Sequence, residues 1–258
     1  GLTGGHSGMD IYKGRANANK LINRVLLSAK EKFDLRISVI DGGGLRNAIP
    51  RESFAEVVIP AADADAFIAL IKEEEKILQA EYKTTDPKLN IAAEKINTPD
   101  MVMVAAYQYA LLRTIGACPN GIYRMSPEIN GLVQTSNNLA RVLVKDGGFK
   151  ILCLTRSSVD SEKMDLAKTI CYNFEMAGAK PEFGGSYPGW APKPDAPIVK
   201  LMSDLYEESF NAKAKVNAVH AGLECGILGT NYPDMQMISF GPNIRGAHSP
   251  DEKVQISS

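Results

Sequence analysis

Apolar positions set the rhythm of the chain. Ala18, Leu21, Ile22, Val25, Ala29 and Phe33 share one face at a spacing near 3.6 residues, which predicts an amphipathic helix over residues 17–33. Residues 35–40 alternate as a strand until Asp41-Gly42-Gly43-Gly44 breaks it. Residues 54–59 read as a second strand, stopped by Pro60. A helix is expected over 63–82, capped by Asp63, with Phe67, Leu70, Ile71, Ile77 and Leu78 inward. A strand over 89–96 closes this first round.

The second round begins at Asn97. Thr98-Pro99 has the form of a helix start, Thr as cap and Pro at the first helical position, and the helix is expected to run to Thr114 and stop at Gly116. Asn120-Gly121 turns the chain. Strands are expected around Leu132, over 139–144 and over 149–155, the last two joined as a hairpin by Asp146-Gly147-Gly148. A helix over 158–177 ends with Gly178 at its C-cap, and 182–185 starts a short strand.

Two α+β rounds, 1–96 and 97–187, therefore suggest two antiparallel-sheet/helix sandwich units. They share no repeat of identical residues. Pro188, Pro192, Pro194 and Pro197 make 188–197 a boundary loop. Beyond it come a helix over 198–210, strands over 216–219, 235–240 and 253–256, and a short helix entered from His220. This stretch, 188–258, reads as part of an α/β domain with too few strands to cover a sheet.

Composition narrows the function classes. With 258 residues and 45% apolar content, the chain can bury a large core. Its net charge is −1 and no basic stripe is present, which argues against nucleic acid. No apolar run reaches membrane-spanning length. Cys118, Cys153, Cys171 and Cys225 are dispersed without a CxxC pair, the pattern of reduced thiols in a cytoplasmic protein. The sequence opens on Gly1 and directly on a Gly-rich motif, from which a truncated chain is expected.

The three histidines, His6, His220 and His248, all sit in turns rich in small residues rather than on apolar helix faces. His248 stands between a small-residue turn and Asp251/Glu252, where a carboxylate can fix its tautomer and leave a metal-binding nitrogen; a surface turn is the plainer reading. A catalytic zinc needs about three protein ligands, and no HExxH motif supplies them. His220 and Cys225 are spaced for a nucleophile–base pair or, more simply, for a packed cysteine. Arg156, at the end of an apolar strand and beside a helix start, is either a carboxylate clamp or a surface arginine. Asn47 is a turn residue or a ligand-facing amide.

Taken together, Gly4-Gly5-His6-Ser7-Gly8, Asn47-Ala48-Ile49-Pro50, Thr155-Arg156-Ser157-Ser158, His220-Ala221-Gly222-Leu223-Glu224-Cys225-Gly226 and His248-Ser249-Pro250-Asp251-Glu252 strongly resemble the aminoacyl-histidine (Xaa-His) dipeptidases of the zinc metallopeptidase clan. The resemblance spans nearly the whole chain. It implies a lid over residues 1–187, and the C-terminal part of a two-zinc catalytic domain over 188–258. It implies that His248 ligates zinc and that His6 meets the oxyanion of a dipeptide under hydrolysis. By the same resemblance Asn47 and Arg156 hold the substrate backbone and its terminal carboxylate, while His220 and Glu224 line the substrate site. The family's other zinc ligands and its general-base glutamate precede the GGHSG motif, so this chain alone is expected to be inactive. In some relatives the residue matching His6 acts on a partner subunit, which makes a homodimer an expectation; the two α+β rounds favour action within one chain. The competing reading is a non-catalytic binding or dimerisation module, or a related metallopeptidase with another substrate.

Overall fold

The computed structural model describes residues 1–220, 223–245 and 252–258. The helix read from its apolar stripe is α1 (Ala18–Lys32), and Leu21, Val25, Leu26 and Ala29 are buried along it. Asn17 caps it: its side-chain oxygen accepts from the N–H groups of Asn19 and Lys20, two donors the helix start leaves unpaired. Strand β2 (Arg36–Gly43) follows, then a turn to β3 (Ala48–Ile49), then β4 (Ser53–Val58). Helix α2 (Ala64–Glu81) turns Phe67, Leu70, Ile71 and Leu78 into the core. Helix α3 (Ala105–Ala117) and strands β5 (Gly121–Met125), β6 (Val133–Lys145) and β7 (Gly148–Ser157) come next. Helix α4 (Asp160–Glu175) ends the succession.

Five of these strands form one sheet, in the order β4-β2-β6-β5 with β7 also paired to β6, and the β2–β4 and β2–β6 ladders are antiparallel. The expected α+β class, antiparallel strands with helices packed on them, is what the chain builds. The strands of the two rounds meet in this sheet. Ile40 lies opposite Val144, Asp41 opposite Leu143, Gly42 opposite Val142 and Gly43 opposite Arg141. Residues read as separate strands around Leu132 and over 139–144 are one continuous strand, β6. Most of β6 is buried, the pattern of a strand covered on both faces. The core joins Leu21, Val25 and Ala29 of α1 to Ile37 and Ile40 of β2, Leu111 and Ile115 of α3, and Leu139 and Val142 of β6.

Other expectations are corrected. No strand forms over 89–96. Side chains of α2 take up its backbone groups instead: Ile91 N–H donates to Glu75 Oε1 at 2.9 Å, and Gln79 Nε2 donates to the Leu89 carbonyl at 2.9 Å. The second-round helix starts at Ala105, not at Thr98-Pro99. The chain before it lies along β2, where Met103 N–H donates to the Ile37 carbonyl at 2.7 Å and Arg36 Nη2 to the Met103 carbonyl at 3.0 Å. A long-range backbone bond thus outcompetes a local capping signal. Gln108 fixes the register of α3 on β2, accepting from Ile37 N–H and donating to the Leu35 carbonyl.

By compactness the chain divides into two units. The first comprises residues 1–123, 136–155 and 166–182, the second 124–135, 156–165 and 183–258. The second holds α5 (Pro197–Phe210), α6 (Leu223–Asn231) and a small pair, β8 (Ile244–Arg245) with β9 (Lys253–Val254). The strands expected over 182–185, 216–219 and 235–240 do not form; Val216, Val219 and Phe240 are exposed and lack the burial that holds a strand.

Candidate functional site

The Gly-rich opening is pinned before it reaches His6. Thr3 N–H donates to Asp86 Oδ1 at 2.8 Å, and Ala16 N–H donates to the other oxygen of the same buried carboxylate at 2.9 Å. Strand β1 (Gly5–His6) then pairs antiparallel with β3, Gly5 opposite Ile49 and His6 opposite Ala48. Gly5 has φ +140°, and a Cβ there would lie 2.3 Å from Arg15 Nη1 and 2.6 Å from Asp10 Oδ2. Only glycine fits this backbone and this space.

The chain then folds back over His6. The N–H groups of Gly8 and Met9 donate to His6 Nδ1 at 3.2 and 3.0 Å. An Nδ1 that accepts cannot carry the proton, so the neutral imidazole bears it on Nε2. Asp10 locks the turn from the other side: its Oδ2 accepts from His6 N–H at 2.9 Å, while its own N–H donates to the His6 carbonyl at 2.8 Å. Burial pushes the Asp10 carboxyl up. The Lys13 hydrogen bond, the His6 N–H and the charges of Lys13 and Arg15 outweigh it and hold the group below its ordinary value.

Asn47 belongs to the same construction. Ser7 N–H donates to the Asn47 carbonyl at 2.7 Å. The carbonyls on either side, of Arg46 and Ala48, both accept from Asn138 Nδ2, at 3.0 and 2.7 Å. Three consecutive carbonyls are therefore held by one buried amide and by the residue next to His6. Asn138 is itself tied to the cap of α1 through Asn17 Nδ2 at 3.4 Å. Nothing in the local sequence around Asn138 singles it out: it ends a polar run, Gln134 to Asn138, in the first half of β6.

The second unit holds Arg156, His220 and Glu224. Arg156 is half-buried at the end of β7; its Nη1 donates to the Tyr187 hydroxyl at 3.3 Å, and its buried Nε finds no partner among the described residues. An unsatisfied guanidinium N–H is costly in isolation and is what a carboxylate would complete. The segment around it is tied down by hydrogen bonds. Ser157 Oγ accepts from Val159 N–H at 3.0 Å and bonds Thr135 Oγ1 at 2.7 Å, and Thr135 in turn donates to Glu162. Lys163 Nζ donates to Asp160 at 2.6 Å and to the Tyr187 carbonyl at 2.7 Å, and Gly189 N–H donates to Asp160 at 3.0 Å.

The HAGLECG stretch reaches the same loop: a Cβ on Gly226 would lie 2.6 Å from the Pro188 carbonyl. Its close packing therefore brings α6 against the segment that fixes Arg156. His220 is buried at 3% exposure, and Glu224 is exposed in the first turn of α6. Ala221 and Gly222 of this motif, and His248, lie outside the described residues. Among the described residues no group of three or more His, Cys, Asp and Glu side chains could hold a metal ion.

Residues 1–86 match the family described as Peptidase dimerisation domain. The chain is 40% identical over 258 residues to the cytosol non-specific dipeptidase of Escherichia coli (strain K12), covering 100% of this chain and 53% of that protein. It superposes with TM-score 0.90 and 42% identity on the crystal structure of aminoacylhistidine dipeptidase from Vibrio alginolyticus, covering 100% of this chain and 52% of that one. The likeness to dipeptidases thus extends over the whole chain, and the chain spans about half the length of the relatives it matches.

Proposed function

We propose that this sequence is the lid, residues 1–187, and the C-terminal catalytic-domain part, 188–258, of a cytoplasmic zinc-dependent dipeptidase acting on Xaa-His substrates. The observation that carries the reading is the tautomer of His6. Two backbone amides occupy Nδ1, so Nε2–H is a fixed donor on a turn that cannot rotate away. Such a preorganised donor suits the negative charge that develops on a carbonyl oxygen under attack. Asn47, on a backbone held at three carbonyls, is the residue we assign to the substrate's backbone. Arg156, with one buried donor unspent, binds its terminal carboxylate and so limits substrates to dipeptide length. His220 and Glu224 line the site.

Zinc dependence belongs to the proposal. The described residues do not fit a zinc site, since they assemble no ligand cluster. His248 is the ligand we assign within this sequence, and no step is derived through the metal. That this chain by itself is inactive is part of the same proposal. The match of residues 1–86 to a dimerisation domain favours a homodimer as well.

The test is kinetic, in a full-length dipeptidase containing this sequence. Arg156→Ala raises KM sharply with little change in kcat, because it removes binding common to substrate and transition state. His6→Ala lowers kcat, by about 100-fold if it acts as a single oxyanion donor. An unchanged KM in Arg156→Ala would sink the clamp, and an unchanged kcat in His6→Ala would sink the oxyanion assignment.

A further inference from the structure

Two of the four cysteines meet inside the first unit. Cys118 closes α3 and Cys153 lies in β7, and their sulfurs are 4.0 Å apart. Cys118 is buried at 2% exposure, whereas Cys153 is half-buried. The ammonium of Lys20 stands beside them, donating to the carbonyls of Ile115, Gly116 and Cys118 at 2.9, 2.6 and 3.0 Å. Nothing in the reading of residues as dipeptidase parts uses this cluster.

We propose that Cys118 and Cys153 are a reversible oxidation site, with Cys153 the attacking sulfur, Cys118 the resolving one, and a hydroperoxide the oxidant. The asymmetry of the pair supports the assignment. Contact with the Cys118 sulfur holds the Cys153 thiol below its ordinary value, helped by Asn137 and by the charge of Lys20 against the opposing effect of burial, while the Cys118 S–H donates to the Pro119 carbonyl at 3.6 Å. The same contact, with burial, pushes the Cys118 thiol far up. Thiolate character and access therefore both select Cys153 for the first step. Cys171 is pushed up by burial and by the neighbouring Glu175, which makes it the poorer nucleophile.

The chemistry balances in two steps. The Cys153 thiolate attacks one peroxide oxygen; the O–O bond breaks, Cys153 becomes a sulfenic acid, and the departing oxygen leaves as water or alcohol after taking a proton. The Cys118 sulfur then attacks the sulfenic sulfur. The S–O bond breaks, water leaves with the Cys118 proton, and the disulfide forms. Two thiols lose two electrons and one peroxide gains them. The sulfurs must close from 4.0 Å to about 2.0 Å. Motion of that size at Cys118 pulls on Pro119 and Asn120. Their carbonyl and amide oxygens accept from Asn137 Nδ2 at 2.7 Å and from Asn17 Nδ2 at 2.9 Å. Oxidation is thereby felt at the cap of α1.

The experiment treats the reduced chain with hydrogen peroxide, counts free thiols and maps cross-linked peptides without reduction. The expected result is a fall from four free thiols to two, reversed by dithiothreitol, with one intramolecular cross-link joining Cys118 and Cys153. Cys118→Ser stops at a Cys153 sulfenic acid that a 1,3-diketone traps, and Lys20→Met slows the reaction several-fold. Four thiols still titrating, or a cross-link through Cys171 or Cys225, overturns the proposal. The wild-type map decides the matter even if a variant fails to fold.

Discussion

At the scale of single residues, the carboxylate of Asp10 does most to shape the His6 turn. It accepts the His6 N–H and lies against Lys13 and Arg15. Because its folded pKa is lowered, the stability it contributes is complete above the ordinary carboxylate value of about 3.9. That contribution is lost as pH falls through the lower folded value. Asp10→Asn, which keeps the shape but not the charge, is expected to be less stable than wild type at pH 7. The gap should narrow as the pH drops below about 4. Urea denaturation at pH 7 and pH 3 measures both, and a gap that does not depend on pH would show that the charge of Asp10 is not what stabilises the turn.

At the scale of elements, α1 is held to the sheet through its own cap. Asn17 Oδ1 accepts from two amides of the first turn. Its Nδ2 donates to Asn120 Oδ1 at 2.9 Å and to the Leu139 carbonyl of β6 at 3.1 Å. Asn17→Ala removes the cap, worth about 1 kcal/mol, and the bonds to β6, worth about 1 kcal/mol more. Asn17→Ser restores a capping oxygen but is too short to reach β6. We therefore expect a loss of about 2 kcal/mol for the first variant and about half of it for the second, read from the urea midpoint at constant slope. Equal losses would mean that only one of the two functions of Asn17 contributes.

At the scale of the whole molecule, the second unit carries apolar side chains that these residues do not cover. Helix α5 has the spacing of an amphipathic helix, yet none of its residues is buried, and Leu201, Leu205, Tyr206 and Phe210 are exposed. That is consistent with a chain spanning about half the length of its relatives. Calorimetric titration with zinc should show weak or no binding to this chain, with little change in His248→Ala. Tight binding of two ions, lost in His248→Ala, would mean that a complete site is built here, and the chain should then hydrolyse dipeptides as it stands. Light scattering behind size exclusion should give twice the 27.9 kDa mass of one chain. A monomer across the micromolar range would remove the dimer from the proposal.

What the sequence determined by itself is local. Helices α1 and α2 and the β6–β7 hairpin follow from apolar periodicity and the Asp146-Gly147-Gly148 turn, and α5 from the end of the proline-rich stretch before it, whereas the cap by Asn17 and the place of Pro197 inside α5 came from the structure. Each signal acts between residues a few positions apart, so each can be read along the chain. The GGHSG and NAIP motifs were visible in the same way, though not what they touch. Tertiary structure alone decided that β2 pairs with β6, and that 89–104 gives its backbone bonds to α2 and β2 instead of forming a strand and an earlier helix. It alone placed Asn138 behind the Asn47 loop, about ninety positions away in the chain. The reason is competition for backbone hydrogen bonds. Local patterns set which conformations a segment favours, while the donor or acceptor that finally satisfies it comes from whichever distant segment the buried core brings alongside.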